Sequence, residues 1–302
     1  MTSIHAAVLA TALALLAVAP AASAVQPERL TLSALKNTSY SGITDLTGSV
    51  RLQAGAWQGK PPDPSSASVP RVVFLGNLVA RGDLNGDGTD DAVVMLASNY
   101  GGTGVFHHLA VVTQVAGGLR NIDTRPVGDR IQVRDLRVES GHVVLDMVRA
   151  GRNDGACCPT EVVSLKFPAV KGKLGDPIQV GPATRLSLDA LAGPQWRVVS
   201  WKDNDPAPEG LTLKYADGQF QGRAACNAYG APVSAGDTPA DIKVGSPRST
   251  RMMCEASQMS AEQRFLGILP RMTSFWFSAG RLAVSYGSGA ETGIMLFERT
   301  VD

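Results

Sequence analysis

The sequence predicts a mainly β fold in two β-rich domains, and three observations carry that prediction. Short valine-rich runs recur between Gly, Asn, Asp and Pro, the punctuation of strands and turns. Glycine is plentiful, at 32 residues, while Phe, Trp and Tyr make up only 6%, which favours strands and turns over long helices. The chain has 302 residues, a length that suits about two domains, each large enough to bury a core. Charge is balanced, with 28 Lys+Arg against 27 Asp+Glu. That argues against a nucleic-acid binder, which shows a basic excess or stripe, and against a polybasic membrane surface.

Residues 1–24 are read as a signal peptide. An apolar stretch from Ala6 to Ala19 ends in Ala22-Ser23-Ala24, the small-x-small pattern of a cleavage site. The stretch is short for a membrane span, and no later segment is apolar enough for one. The expected location is periplasmic or secreted. Residues 25–170 are read as a β-rich domain, 171–187 as a Gly- and Pro-rich linker, and 188–302 as a second domain.

In the first domain, residues 58–70 (QGKPPDPSSASVP) predict an exposed loop. IQVRDLRVESGHVVLDMV predicts a hairpin with Ser140-Gly141 at its turn. Ile131 and Val133 alternate, then Leu136 and Val138 do, so the phase slips by one near Arg134-Asp135. Side chains alternate faces along a strand, so the slip predicts a bulge. In the second domain LTLKYADGQF predicts a tight turn at Asp217-Gly218, where both residues need positive φ. SAEQRFLGILPRM predicts a helix capped by Ser260 with Gln263, burying Phe265, Leu266 and Leu269 and stopped by Pro270.

The stretch GDLNGDGTDDAVV holds a candidate metal site. With Asp83 at position 1, Asn85, Asp87, Thr89 and Asp91 fall at 3, 5, 7 and 9, and Gly88 at 6 permits a sharp bend. An all-oxygen, flexible set suits Ca²⁺ in a structural role better than magnesium or a soft metal. Acids and amides aimed inward without a cation would repel one another. The alternative is a pair of Gly turns with no metal. Val94 stands where a helical calcium loop has its bidentate glutamate, so this is no EF-hand. The loop resembles the strand-flanked calcium loops of FG-GAP-type repeats on Asp83, Asn85, Asp87, Thr89 and Asp91; a single copy does not support a full propeller.

No catalytic residues are assigned. His107 and His108 are adjacent in a predicted strand and point to opposite faces. His142 begins a strand after a turn and is expected to be exposed. His-Glu-x-x-His, Gly-x-Ser-x-Gly and Cys-x-x-Cys are absent. NYGGTG lacks the strand-to-helix context of a phosphate cradle. Asp129, Asp135 and Asp146 are read as surface charges, the alternative being a carboxylate pair formed in space, for which spacing alone gives no warrant.

Four cysteines, Cys157, Cys158, Cys226 and Cys254, allow three pairings, and export favours disulfides. Neighbouring Cα atoms lie about 3.8 Å apart, below the usual disulfide range of roughly 4.4–6.8 Å. A Cys157–Cys158 bond would thus be strained and easily reduced. It is the favoured reading, against a reduced thiol pair binding copper or zinc or crossed bonds to the second domain. Together DLNGDG and CCPT resemble a module of bacterial exported proteins.

From Leu188 to Arg299 the chain resembles the META domain family, in particular the HslJ-like heat-shock proteins of bacterial envelopes. Gly222, Cys226-Asn227 and Thr250-Arg251-Met252-Met253-Cys254 carry the resemblance; Ala225 stands where many members have glycine. The resemblance implies a compact β-rich domain with one helix, an envelope setting and no established catalytic residues. Within it Cys226 is paired with Cys254, a closure worth roughly 3–4 kcal/mol on the chain-entropy estimate. The expectation is a noncatalytic envelope protein, stress-related or ligand-binding, with an unknown envelope partner, stabilised by calcium and disulfides. A calcium-dependent secreted hydrolase is the alternative.

Overall fold

The structure is a computed structural model. It describes residues 30–300 except 62, 64, 66–67, 156, 203–204 and 289–290, so the signal-peptide reading lies outside the described residues. The fold is mainly β, in several sheets, with the longest helix near the C-terminus.

The first part is built around a five-stranded antiparallel sheet that includes Arg71–Gly82, Asp91–Asn99, Phe106–Val115 and Gly118–Asp129. Asp91–Asn99 is buried along nearly its whole length, because both faces of the sheet are covered. Period-two alternation sends Val93, Met95, Leu109 and Val111 to one side and Ala92, Val94, Leu96, Ala110 and Val112 to the other. The first set packs on Val133, Val143, Leu145, Val163 and Leu165 of a second antiparallel sheet. The other set is covered by Leu35, Tyr40, Val50 and Leu52 from the N-terminal segment. Nothing in the period of residues 30–52 showed that they would serve as this cover.

The second sheet contains the predicted hairpin. Gln132–Glu139 pairs with His142–Arg149, and Ser140 and Gly141 hold φ of 50° and 72° at the turn. The register shifts between Val133 and Asp135, at the predicted bulge. The bulge is also where the two parts of the chain meet. Gln132 Oε1 accepts from the Phe277 N–H at 3.0 Å. The Gly280 N–H donates to Val133 O at 2.9 Å. The Arg134 guanidinium donates to Ala190 O and lies 5.1 Å from the Phe277 ring centre.

Residues 171–187 run back along strand Glu161–Val170. Lys173–Leu174, Ile178–Gln179 and Thr184–Arg185 all pair with it, which covers an otherwise open edge. The C-terminal sheet then runs from Ile242–Val244 through Asn227–Ala235, Gln219–Ala224, Thr212–Ala216, Trp196–Lys202, Glu291–Arg299 and Arg281–Ser288 to Met272–Ser278. An Asp241–Ser274 bridge brings its two ends together, giving a barrel-like unit. Asp217 and Gly218 take φ of 51° and 68° at the predicted turn.

The helix differs from its prediction. It spans Ala256–Ile268 with Glu255 at the N-cap and no side-chain cap bond, so Ser260 lies inside it. Ala256, Gln258 and Met259 are good helix formers, and they extend the helix back almost to Cys254. Its buried stripe is Ala261, Glu262, Phe265 and Ile268, with Leu266 only half-buried. Leu269 is buried in a single 3₁₀ turn, Leu269–Arg271, that carries the chain past Pro270.

Candidate metal site

The aspartate loop closes the hairpin between Arg71–Gly82 and Asp91–Asn99, whose last pair is Gly82 with Asp91. Gly86 and Gly88 take φ of 84° and 81°, a region that side chains disfavour, and so let the loop curl. Asp83 sits inside the curl, accepting the Gly86 N–H at 2.7 Å and the Gly88 N–H at 2.9 Å. Asp87 Oδ1 accepts the Thr89 N–H at 2.8 Å and the Thr89 hydroxyl. The Asn85 amide donates to Asp87 Oδ2 at 3.0 Å, Asp91 Oδ1 at 3.2 Å and Thr113 Oγ1 at 3.3 Å. Asn85, Asp87 and Asp91 therefore converge on one point, Asp83 braces the backbone around it, and the Thr89 side chain is turned to Asp87. Among the described residues no group of three His, Cys, Asp or Glu side chains is placed to hold a metal ion.

Asp91 is fully buried. Burial first, and then the charges of Asp87 and Asp83, push its carboxyl above the usual range, against hydrogen bonds that pull it down. Asp87 is exposed, and hydrogen bonds from Thr89 and Asn85 hold it below that range. The residue types, three aspartates and an asparagine, are ones whose side-chain oxygens a hard cation can take. Asn85 Oδ1 accepts the Asp87 N–H at 2.8 Å, so the amide nitrogen is the end that lies between the two carboxylates. The loop is braced from outside by the Lys171-Gly172 turn, whose Gly172 N–H donates to Leu84 O at 2.9 Å. A Cβ at Gly172 would lie 2.2 Å from Ile122 Cδ1, and φ there is +75°, so glycine is required.

The histidines stay apart. His107 Nδ1 faces Val105 O at 3.1 Å, whereas His108 Nε2 faces Thr44 N at 3.2 Å. His142 is half-buried rather than exposed, with Nδ1 at 2.7 Å from Ser140 O. Asp135 and Asp146 do meet across their strands, but Arg137 Nη1 bridges them at 3.1 and 2.6 Å. Asp129 pairs with Arg130. The NYGGTG loop is tied by Asn99, which donates to Gly102 O and Gly104 O and accepts the Gly101 N–H.

All four cysteines are in disulfides, and none is free. Cys157 and Cys158 are bonded to each other, both exposed, with Cα atoms 3.8 Å apart. The base of their loop is fixed by Asp154, which accepts from the Gly151 N–H at 2.7 Å and the Thr160 N–H at 2.6 Å. Cys226 bonds Cys254 with Cα atoms 6.0 Å apart, and Cys226 is 1% exposed. Asn227, next to it, anchors three segments. Its Oδ1 accepts from Thr250 Oγ1 and the Met252 N–H, each at 2.7 Å. Its N–H and Nδ2 donate to the Glu262 carboxyl at 2.9–3.1 Å, and Nδ2 also reaches Met252 O at 3.2 Å.

Residues 189–299 match the model of the META domain. No curated protein and no solved structure matches the chain. The residues that carry the sequence resemblance have structural work in the META domain. Cys226-Asn227 and Thr250 to Cys254 form the disulfide and hydrogen-bonded latch just described. A Cβ at Gly222 would lie 2.5 Å from Thr212 O, so only glycine fits between those strands. Ala225 holds φ of 62°, the left-handed region that costs a non-glycine residue roughly 1 kcal/mol or more; glycine at this place avoids that cost. Sequence reasoning missed Glu262. Its one available signal was an acid standing between Ala261 and Phe265 on the buried stripe.

Proposed function

We propose that the chain is an exported, noncatalytic envelope protein, stress-related or ligand-binding in the HslJ-like manner, whose N-terminal part holds one structural calcium ion in an FG-GAP-like loop. The META match supports the envelope and stress reading. Two disulfides suit an oxidising compartment such as the periplasm or the exterior. The observation that carries the calcium reading is the convergence of Asn85, Asp87 and the buried Asp91. Asp83, Asn85, Asp87 and Asp91 would supply side-chain oxygens and Thr89 its carbonyl, and the ion would supply charge neutralisation and rigidity.

With no bidentate clamp, affinity falls in the range of extracellular modules, roughly 10⁻⁴–10⁻³ M. Saturation at about 100 times the dissociation constant adds about 2.7 kcal/mol. Calcium is therefore expected to raise the melting temperature by several degrees over EDTA, and Asp87→Ala is expected to abolish the rise. Equal melting of the wild type in calcium and in EDTA removes the assignment.

A further inference from the structure

Beside the aspartate loop lies an open cavity of about 420 Å³. Asn85 and Thr113, the pair joined by the Asn85 amide, form its loop side. Arg120, Lys171 and Lys173 also line it. Lys173 is engaged: its Nζ donates to Ile122 O and lies 3.8 Å from Asp123. Arg120 and Lys171 are exposed, and among the described residues their side chains make no hydrogen bond or ion pair. Two unpaired cations thus line a cavity that also takes in Asn85 of the aspartate loop.

We propose that this cavity binds the oxyanion of a phosphate-class ligand, held by Arg120 and Lys171 and drawn by calcium in the neighbouring loop; the calcium part rests on the function proposed above. Three arguments converge. First, among the described residues Arg120, Lys171 and Lys173 line the cavity and no carboxylate does; Asp123 lies against Lys173, and calcium would offset two of the three charges of Asp83, Asp87 and Asp91. Second, calcium takes six to eight oxygens, whereas the loop offers five residues as ligands. The clamp position is Val94, fully buried in its strand. Outside oxygens would complete the shell, and Asn85 is the loop residue that lines the cavity. Third, an arginine fork, an ammonium and the Thr113 hydroxyl form a donor set suited to a tetrahedral oxyanion.

The test uses the full mature chain and glycerol phosphate, a monoester that stays soluble with calcium. Melting and calorimetric titration are run with calcium and with EDTA, on the wild type and on Arg120→Ala/Lys171→Ala. The expected result is a second upward shift with glycerol phosphate in the presence of calcium. The double variant keeps the calcium shift, which shows it is folded, and loses the phosphate shift. A calcium shift with no phosphate shift overturns this proposal and leaves the calcium reading standing. So does a phosphate shift that the double variant retains. A phosphate shift lost in the double variant, with no calcium shift in either protein, keeps the pocket and removes calcium. Sedimentation with phosphatidylglycerol vesicles then separates the sources: retention assigns a lipid headgroup, and its absence a free phosphate. No response to either ligand overturns both readings.

Discussion

Asn227→Ala is expected to cost the META domain about 3 kcal/mol. The side chain satisfies Thr250, Met252 and Glu262 at once. Glu262 is only 7% exposed, and among the described residues its hydrogen bonds all come from Asn227. Truncation leaves its carboxyl with the Asn227 N–H alone. An unsatisfied buried polar group costs roughly 1–3 kcal/mol, and more when it is charged. The lost acceptor for the Thr250 hydroxyl and Met252 N–H adds to this. Against a typical domain stability of roughly 5–15 kcal/mol, the loss is a large fraction. Urea denaturation of the oxidised protein measures it, since the disulfide remains intact in both forms. A loss below about 1 kcal/mol would mean that water replaces Asn227 freely and that the latch is not a principal support of the domain.

Acid is expected to destabilise the N-terminal part as pH falls from about 6.5 toward about 4. His108 is fully buried. Burial first, and the neighbouring His107 second, lower its pKa from 6.5 to about 4. His108 Nε2 accepts the Thr44 N–H at 3.2 Å, a bond the protonated ring cannot accept. The folded value is depressed, so the unfolded chain takes up the proton first as pH falls. Stability is full above about 6.5 and declines as pH drops toward about 4, by about 3 kcal/mol at 1.36 kcal/mol per unit. His107, also lowered chiefly by burial, acts in the same direction. Asp91 acts in the opposite sense, because its carboxyl is raised and its protonation favours the folded form. His108→Gln keeps an acceptor for Thr44 and cannot titrate. Its stability is expected to fall less between pH 6.5 and 4 than that of the wild type; parallel curves would show that His108 does not govern the acid response.

Much of the fold was legible because strand alternation and turn chemistry are local. The slip between Val133 and Leu136 became a register shift, and Ser140-Gly141 and Asp217-Gly218 took positive φ. What the slip is for was not legible. It lies where Gln132, Val133 and Arg134 contact Ala190, Phe277 and Gly280, and such a contact depends on how distant segments dock. The helix start was misplaced for a related reason: Ser260 and Gln263 do form a capping pattern, but residues 256–259 continue the helix upstream. In the aspartate loop the spacing showed which side chains share a turn. It did not show that Asp91 alone would be buried, since that depends on the second sheet and the Lys171-Gly172 turn closing over the loop. Glu262 was invisible because its partner Asn227 lies in a strand far upstream.

The proposed role of Asn85, Asp87 and Asp91 is to hold a divalent cation. Calorimetric titration of calcium into metal-stripped protein tests it most directly. One ion per chain is expected to bind with a dissociation constant of roughly 10⁻⁴–10⁻³ M, and Asp87→Ala, whose exposed position leaves the fold in place, is expected to lose it. No saturable binding by the wild type, or unchanged binding by the variant, would contradict it.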